Sequence, residues 1–207
     1  KLVSLGLSYL SKTGVIDVAQ PLLDRLAEQT GELVRLSVVD GDRLTWVARA
    51  QGARQGLRYD PDMGSIARLS CSSSGLAWLS TMKDDDALAL VSQQGLGLPQ
   101  EFGPNAPKSL KVFLKVLQDT RKQGFSLTEE TYTAGLNAIA APVGLVGQLP
   151  MGTISVAGPS ARLTRERMLA IAPDLLSCAA QLAAASGASP MLASGSAKVR
   201  LQPIYAA

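Results

Sequence analysis

Apolar positions along this chain follow two periods, and the switches between them outline its elements. Helical spacing runs through Leu2–Leu10 and again from Val15 to Thr30, where Leu22, Leu23 and Leu26 line one face and Gly31 holds the stop position. Pro21 is tolerable only near a first turn, so the regular helix is expected to begin later than Val15. The period then falls to two. Glu32–Val39 and Leu44–Ala50 alternate as strands about an Asp40-Gly41 hairpin signal, and Gly56–Tyr59 reads as a third strand before a loop over Asp60–Ser70. Short helices are predicted over Ser72–Met82 and Asp84–Gln93, then a Gly- and Pro-rich loop over Gly95–Pro107. Ser109–Gln123 returns to helical spacing, with Leu110, Phe113, Leu114 and Leu117 inward and Gly124 closing it.

The run from Gly124 to Pro159, GFSLTEETYTAGLNAIAAPVGLVGQLPMGTISVAGP, predicts strands near Phe125–Thr131, Leu136–Pro142 and Met151–Ala157. Leu136, Ala138 and Ala140 share one face, and Asn137, Ile139 and Ala141 the other. Thr153, Ser155 and Ala157 share a face opposite Ile154 and Val156. The Ile/Val face packs on helices; the Ala/Ser/Thr face either receives a closely packed helix or frames a pocket. A last helix is predicted over Thr164–Ala185, and a loosely ordered tail follows from Ser186. Helix, strands, helices, strands, helix, with hairpin connections, predicts an α+β class in which helices flank an antiparallel sheet.

Composition narrows the chemistry. At 207 residues, 46% of them hydrophobic and 4% aromatic, the chain suits one domain with an aliphatic core. A net charge of +3, without a block of like charge, argues little for nucleic-acid binding by these residues. The acidic run after Lys83, Asp84–Asp86, reads as a helix start. Histidine is absent, which removes the commonest general base and neutral metal ligand. Cys71 and Cys178 fit no zinc or redox spacing, so neither a metal nor a cofactor is expected. No stretch reaches about 18 uninterrupted apolar residues, so no membrane span is expected; a reducing cytoplasm is the expected compartment.

Two places could hold a ligand. Arg68-Leu69-Ser70-Cys71-Ser72-Ser73-Ser74-Gly75 precedes a predicted helix. One serine suffices for an N-cap, so the run reads either as a capped helix or as an anion site at a helix start. Arg68 is then either a structural, solvated residue or a bidentate carboxylate contact. Hydrolysis is disfavoured, because CSSSG lacks the first glycine of a G-x-S-x-G elbow and no histidine or S-x-x-K lysine activates a serine. Glu129 and Glu130, adjacent on a strand, point to opposite faces and read as solvated. The second place is the small-residue sheet face. Trp46, Tyr59, Trp78 and Tyr132 read as core or interface, although a pocket for an aromatic ring would need one or two of them.

Several short patterns, in order, resemble the effector-binding domain of IclR-type bacterial transcription regulators over roughly residues 1 to 185. They are Ala19-x-Pro21-x-Leu-x-x-Leu26 before Thr30-Gly31-Glu32; Val34–Val39 with its turn; and Gly64 with Ser73-x-Gly75-x-Ala77-x-Leu79. Then come Arg121-x-x-Gly124, Glu129-Glu130, Gly135, Ile139-Ala-Ala-Pro-Val143, Ile154-Ser-Val-x-Gly-Pro159 and Arg162-Leu-Thr.

The resemblance implies a GAF-like sensory domain, without enzymatic activity, over residues 13–185. It further implies a remnant of an interdomain linker helix at 1–12, a tail at 186–207, and promoter DNA as a partner through an N-terminal winged helix-turn-helix. The family assembles as dimers and dimers of dimers, so a homodimer or homotetramer is expected. Carried over position by position, the effector site comprises Ser73 and Ser74 as backbone donors, then Thr128, Leu136, Ala138, Ser155 and Ala157 on the sheet; Arg68, Leu69 and Ser72 border it.

Relatives that bind small oxo-acids commonly carry Asp and Cys where this chain has Thr128 and Ala138. The usual loop Pro is Arg68, and the usual Lys after the helix glycine is Leu76. The expected effector is therefore an aromatic or otherwise apolar carboxylic acid, with Arg68 as a cation at the mouth. A GAF-like enzyme and a ligand-free oligomerisation domain are the alternatives.

Overall fold

Among the described residues five strands form one antiparallel sheet in the order β2-β1-β5-β4-β3. They are β1 (Leu33–Asp40), β2 (Arg43–Gln51), β3 (Ser126–Glu129), β4 (Leu136–Val143) and β5 (Gly152–Pro159). Among the described residues five helices accompany them: α1 (Val15–Thr30), α2 (Ser73–Leu79), α3 (Asp84–Gln94), α4 (Leu110–Gln123) and α5 (Arg165–Gly187). The computed structural model describes residues 15–97, 101–145 and 147–187. The linker expected at 1–12 lies outside them, as does the expected tail beyond Gly187.

The two sheet faces are built differently. On one face Val34, Leu36, Ile139, Ile154 and Val156 pack against α1 and α5. Helix α1 supplies a stripe of Ala19, Leu23, Leu26 and Ala27; α5 supplies Met168, Ile171, Leu175 and Leu182. Each large aliphatic buried here contributes roughly 1.5–3 kcal/mol. By length and composition α5 could cross a membrane. Its buried Met168, Leu175 and Leu182 instead make it the core helix of this layer.

On the opposite face lie Ser37, Ser126, Ala140, Thr153 and Ser155, all buried. Their short side chains admit α2 closely, and the Ser126 hydroxyl donates to the Ser73 carbonyl at 2.7 Å. Ser37 and Thr153 hydroxyls satisfy each other across β1 and β5 at 2.6 Å. Leu76 and Leu79 of α2 join Ala87, Val91, Phe113 and Leu117 in a second cluster that stacks α3 and α4 on this side.

Several expectations change. Helix α1 runs from Val15 straight through Pro21; the exposed ring costs one N–H···O bond without ending the helix. Gly56–Tyr59 forms no strand, and Ile66 instead makes an isolated bridge to Thr45. Leu110, expected inward, is exposed at the first turn of α4, whereas Phe113 and Leu117 are fully buried. Gly124 does close α4, in the left-handed conformation at φ 78°. Helix α5 reaches Gly187, beyond the expected end at Ala185.

One irregularity decides what faces the ligand side. The β1–β2 pairing steps from Leu36↔Ala48 to Ser37↔Trp46, leaving Val47 as an extra residue. Strict alternation would put Trp46 on the face of Ala48 and Ala50. After the bulge Trp46 and Leu44 join the α2 side, while Ala48 and Ala50 stay with α1 and α5.

Candidate ligand-binding site

Where the small-residue face runs out beyond the first turn of α2, a narrow cavity remains, with about 20 Å³ open to the centre of a water molecule. Ser72 and Ser73 form one wall, and Thr128, Leu136, Ala138 and Ala157 the sheet floor. Trp46, Tyr59 and Tyr132 supply aromatic walls, and Arg35 and Asn137 complete the lining. Both readings of the small-residue face are thus realised: close packing under α2, and a hollow beyond it.

Of the other site residues read from the sequence, Arg68, Leu69, Ser74 and Ser155 stand elsewhere. Arg68 does not line the cavity: its guanidinium donates to the Gln94 carbonyl and lies over the Phe102 ring at 5.3 Å. Leu69 is buried in the cluster around α2. Its backbone N–H donates to Gln94 Oε1 at 3.0 Å. Ser74 turns inward to accept from Trp46 Nε1 at 3.4 Å. Ser155 lies fully buried in the layer between sheet and α2, and its hydroxyl meets the Arg35 carbonyl at 3.5 Å. Ser72 is an N-cap: its oxygen accepts from Gly75 N at 3.0 Å and its hydroxyl donates to the Arg68 carbonyl at 2.7 Å.

The loop after β3 carries Tyr132 and is held at several points. Glu130 adopts a left-handed φ of 52°. Its N–H donates to the Leu136 carbonyl at 2.9 Å, and its carboxylate accepts from Gly135 N at 2.9 Å. Thr131 Oγ1 donates to the Cys71 carbonyl at 2.6 Å, tying the loop to the approach of α2. Tyr132 then meets Trp46 edge-on, with centroids 6.1 Å apart, and Phe102 at 6.0 Å. The Glu129–Glu130 pair is no acid–base couple, since Glu129 pairs with Arg165 at 2.7 Å while Glu130 braces its own loop.

Arg35 is the residue that the sequence reading missed. It sits mid-strand in β1, between Val34 and Leu36, and is only 5% exposed. Its guanidinium lies 4.0 Å from the Trp46 ring centre and 5.5 Å from that of Tyr59. Among the described residues it makes no ion pair, and its Nε is the one buried side-chain nitrogen or oxygen without a hydrogen-bond partner. Burial pushes its pKa below the ordinary arginine value, with the Tyr59 and Tyr132 phenols partly offsetting that. Burial likewise raises the Tyr132 phenol above its ordinary value, with Tyr59 adding to the shift and Arg35 opposing it.

Thiol chemistry is not offered here: burial pushes Cys71 up to about 12 and Cys178 up to about 11, which keeps both protonated and inert at neutral pH. Two other hollows, beside Arg25 on α1 and beside Arg54 after β2, are bordered by polar groups that already pair: Arg25 with Gln181, and Arg54 with Glu28.

A family model described as bacterial transcriptional regulator IclR C-terminal matches residues 7–184. The HTH-type transcriptional repressor AllR of Salmonella paratyphi A is 27% identical over 190 residues, covering 92% of this chain and 68% of the repressor. The crystal structure of Thermotoga maritima IclR superposes with a TM-score of 0.75 at 21% identity, over 88% of this chain and 72% of that one. The inducer-binding domain of a PobR double mutant from Acinetobacter, solved with 3-hydroxybenzoic acid, gives a TM-score of 0.70 at 24% identity, over 81% and 96%. The chain belongs to the IclR family of bacterial transcription regulators and carries their C-terminal effector-binding domain.

Proposed function

We propose that the cavity binds an aromatic or otherwise apolar carboxylic acid, and that this acid is the effector of a DNA-binding regulator. The observation that carries this reading is the combination of three aromatic walls with a buried, unpaired cation. Rings stack on rings, and an anion compensates a desolvated guanidinium. The small floor residues Ala138 and Ala157 leave the volume that bulkier side chains would fill. The 3-hydroxybenzoic acid in the PobR inducer-binding domain is a ligand of the same class in the same fold.

In the whole protein the acid would favour one arrangement of a homodimer or homotetramer, and so set the spacing of winged helix-turn-helix domains on promoter DNA in the cytoplasm. The shift is bounded by the ligand's differential affinity for the two arrangements. The test is a thermal-shift panel of benzoate, 3-hydroxybenzoate, phenylacetate and hexanoate against glyoxylate and pyruvate. An acid at 100 times its dissociation constant adds about 2.7 kcal/mol of stability. Stabilisation by the first four is expected; stabilisation by glyoxylate or pyruvate alone, or by none, rejects the reading.

A further inference from the structure

We infer that Arg35, on the interior strand β1, is the carboxylate receptor of this cavity, and that Arg68 is not. The inference rests on the reading above and names the group that sets the ligand's orientation.

A guanidinium taken out of water loses several hydration bonds, and proteins normally return them with a carboxylate or with carbonyl oxygens. The corresponding return is visible for the other candidates. Arg68 is held by the Gln94 carbonyl and by Phe102. The Ser72 hydroxyl is spent on Gly75 N and the Arg68 carbonyl. Asn137 accepts from Glu130 N at 3.1 Å and donates to the Leu163 carbonyl at 2.9 Å. The Thr128 hydroxyl donates to the Ala138 carbonyl at 3.1 Å. Among the described side chains Arg35 alone keeps a buried donor with no acceptor, and it borders the cavity.

Its surroundings also suit a planar anion. At 4.0 Å the guanidinium is in stacking range of the Trp46 indole. Stacking leaves in-plane N–H groups for a pair of oxygens, the fork that lysine lacks. With the carboxylate on Arg35, the body of the acid falls among Trp46, Tyr132 and the floor of Ala138 and Ala157. A neutral analogue leaves the cation unpaired and is rejected.

The experiment compares the tightest-binding of benzoate, 3-hydroxybenzoate, phenylacetate and hexanoate with its primary amide, by calorimetric titration of the 207-residue chain. The wild type is expected to prefer the acid by at least about 30-fold, the usual consequence of removing one partner of a buried charge pair. Arg35→Met is expected to bind acid and amide alike, with an unchanged circular dichroism spectrum. Arg35→Gln carries the same readout if the Met variant does not fold, and Arg68→Ala is expected to keep the wild-type preference. An acid preference that survives Arg35→Met or Arg35→Gln overturns the assignment while leaving the proposed effector class intact. A wild type that binds none of the four acids rejects the effector class, and the assignment falls with it.

Discussion

Glu32, just before β1, and Arg35, within it, are three residues apart, and both are buried, at 1% and 5% exposure. Their treatment is opposite. Glu32 is met by a bidentate fork from Arg162, at 2.6 and 2.9 Å. Gly158 lies so close that an added Cβ would stand 2.4 Å from Glu32 Oε2. The Glu32 hydrogen bonds hold Arg162 above its ordinary pKa, against the opposing effect of burial. Arg35 has rings instead of a counter-charge, small residues beneath it, and empty space beside it. A buried charge that is fully paired is committed to the fold; one that is desolvated and unpaired remains available to a ligand. The contrast separates structure from function better than burial or charge alone.

The widest gap between the two should appear in stability. Arg162→Met strands a buried carboxylate and is expected to cost about 3 kcal/mol, the low end for a broken buried pair because Arg162 is itself partly exposed. Arg35→Met, by contrast, removes an unpaired charge and is expected to leave the free protein as stable or more so. Urea unfolding of both variants checks this. Equal losses would make Arg35 a structural residue and collapse the distinction.

Packing should differ in the same sense. Gly158→Ala pushes a methyl group against a carboxylate that Arg162 holds fixed, at an expected cost of about 2 kcal/mol. Ala138→Leu enters the hollow instead and is expected to cost less than about 1 kcal/mol, yet to abolish acid binding. Thermal unfolding with and without benzoate measures both. If Ala138→Leu proves as costly as Gly158→Ala, the cavity floor is as closely packed as the Glu32 corner.

Much of this arrangement can be read from local pattern. The division of β4 and β5 into an Ile/Val face and an Ala/Ser/Thr face follows from alternation alone, because both strands are regular. The Ser72 cap and the Gly124 stop follow from backbone chemistry that acts within a few residues. What stayed hidden depends on distant segments. Arg35 looks like an ordinary outward residue of a one-sided strand, and becomes buried only because Trp46 and Tyr59 cover it. Trp46 reaches that side only through the bulge at Val47, which the sequence does not announce. Arg68 drew attention through its nearness to the serines, but Gln94 and Phe102, far along the chain, decide where it points.

Cys71 gives the smallest effect and sharpens the comparison with a third buried ionisable group near the cavity. Burial disfavours charge on the thiol as it does on Arg35, but a thiol can meet that cost by staying protonated. Its pKa is pushed from the ordinary 9.0 to about 12, burial outweighing the opposing influence of Ser70 and Arg68. Between those values the unfolded chain releases a proton that the folded chain keeps. The contribution to stability is therefore complete below pH 9 and is lost as pH rises towards 12. By pH 10 the loss from this one group amounts to about 1 kcal/mol. Subtracting the alkaline stability profile of Cys71→Ala from that of the wild type isolates this slope from the titration of lysines and tyrosines. Identical profiles would mean that Cys71 ionises in the folded protein as readily as in the unfolded chain.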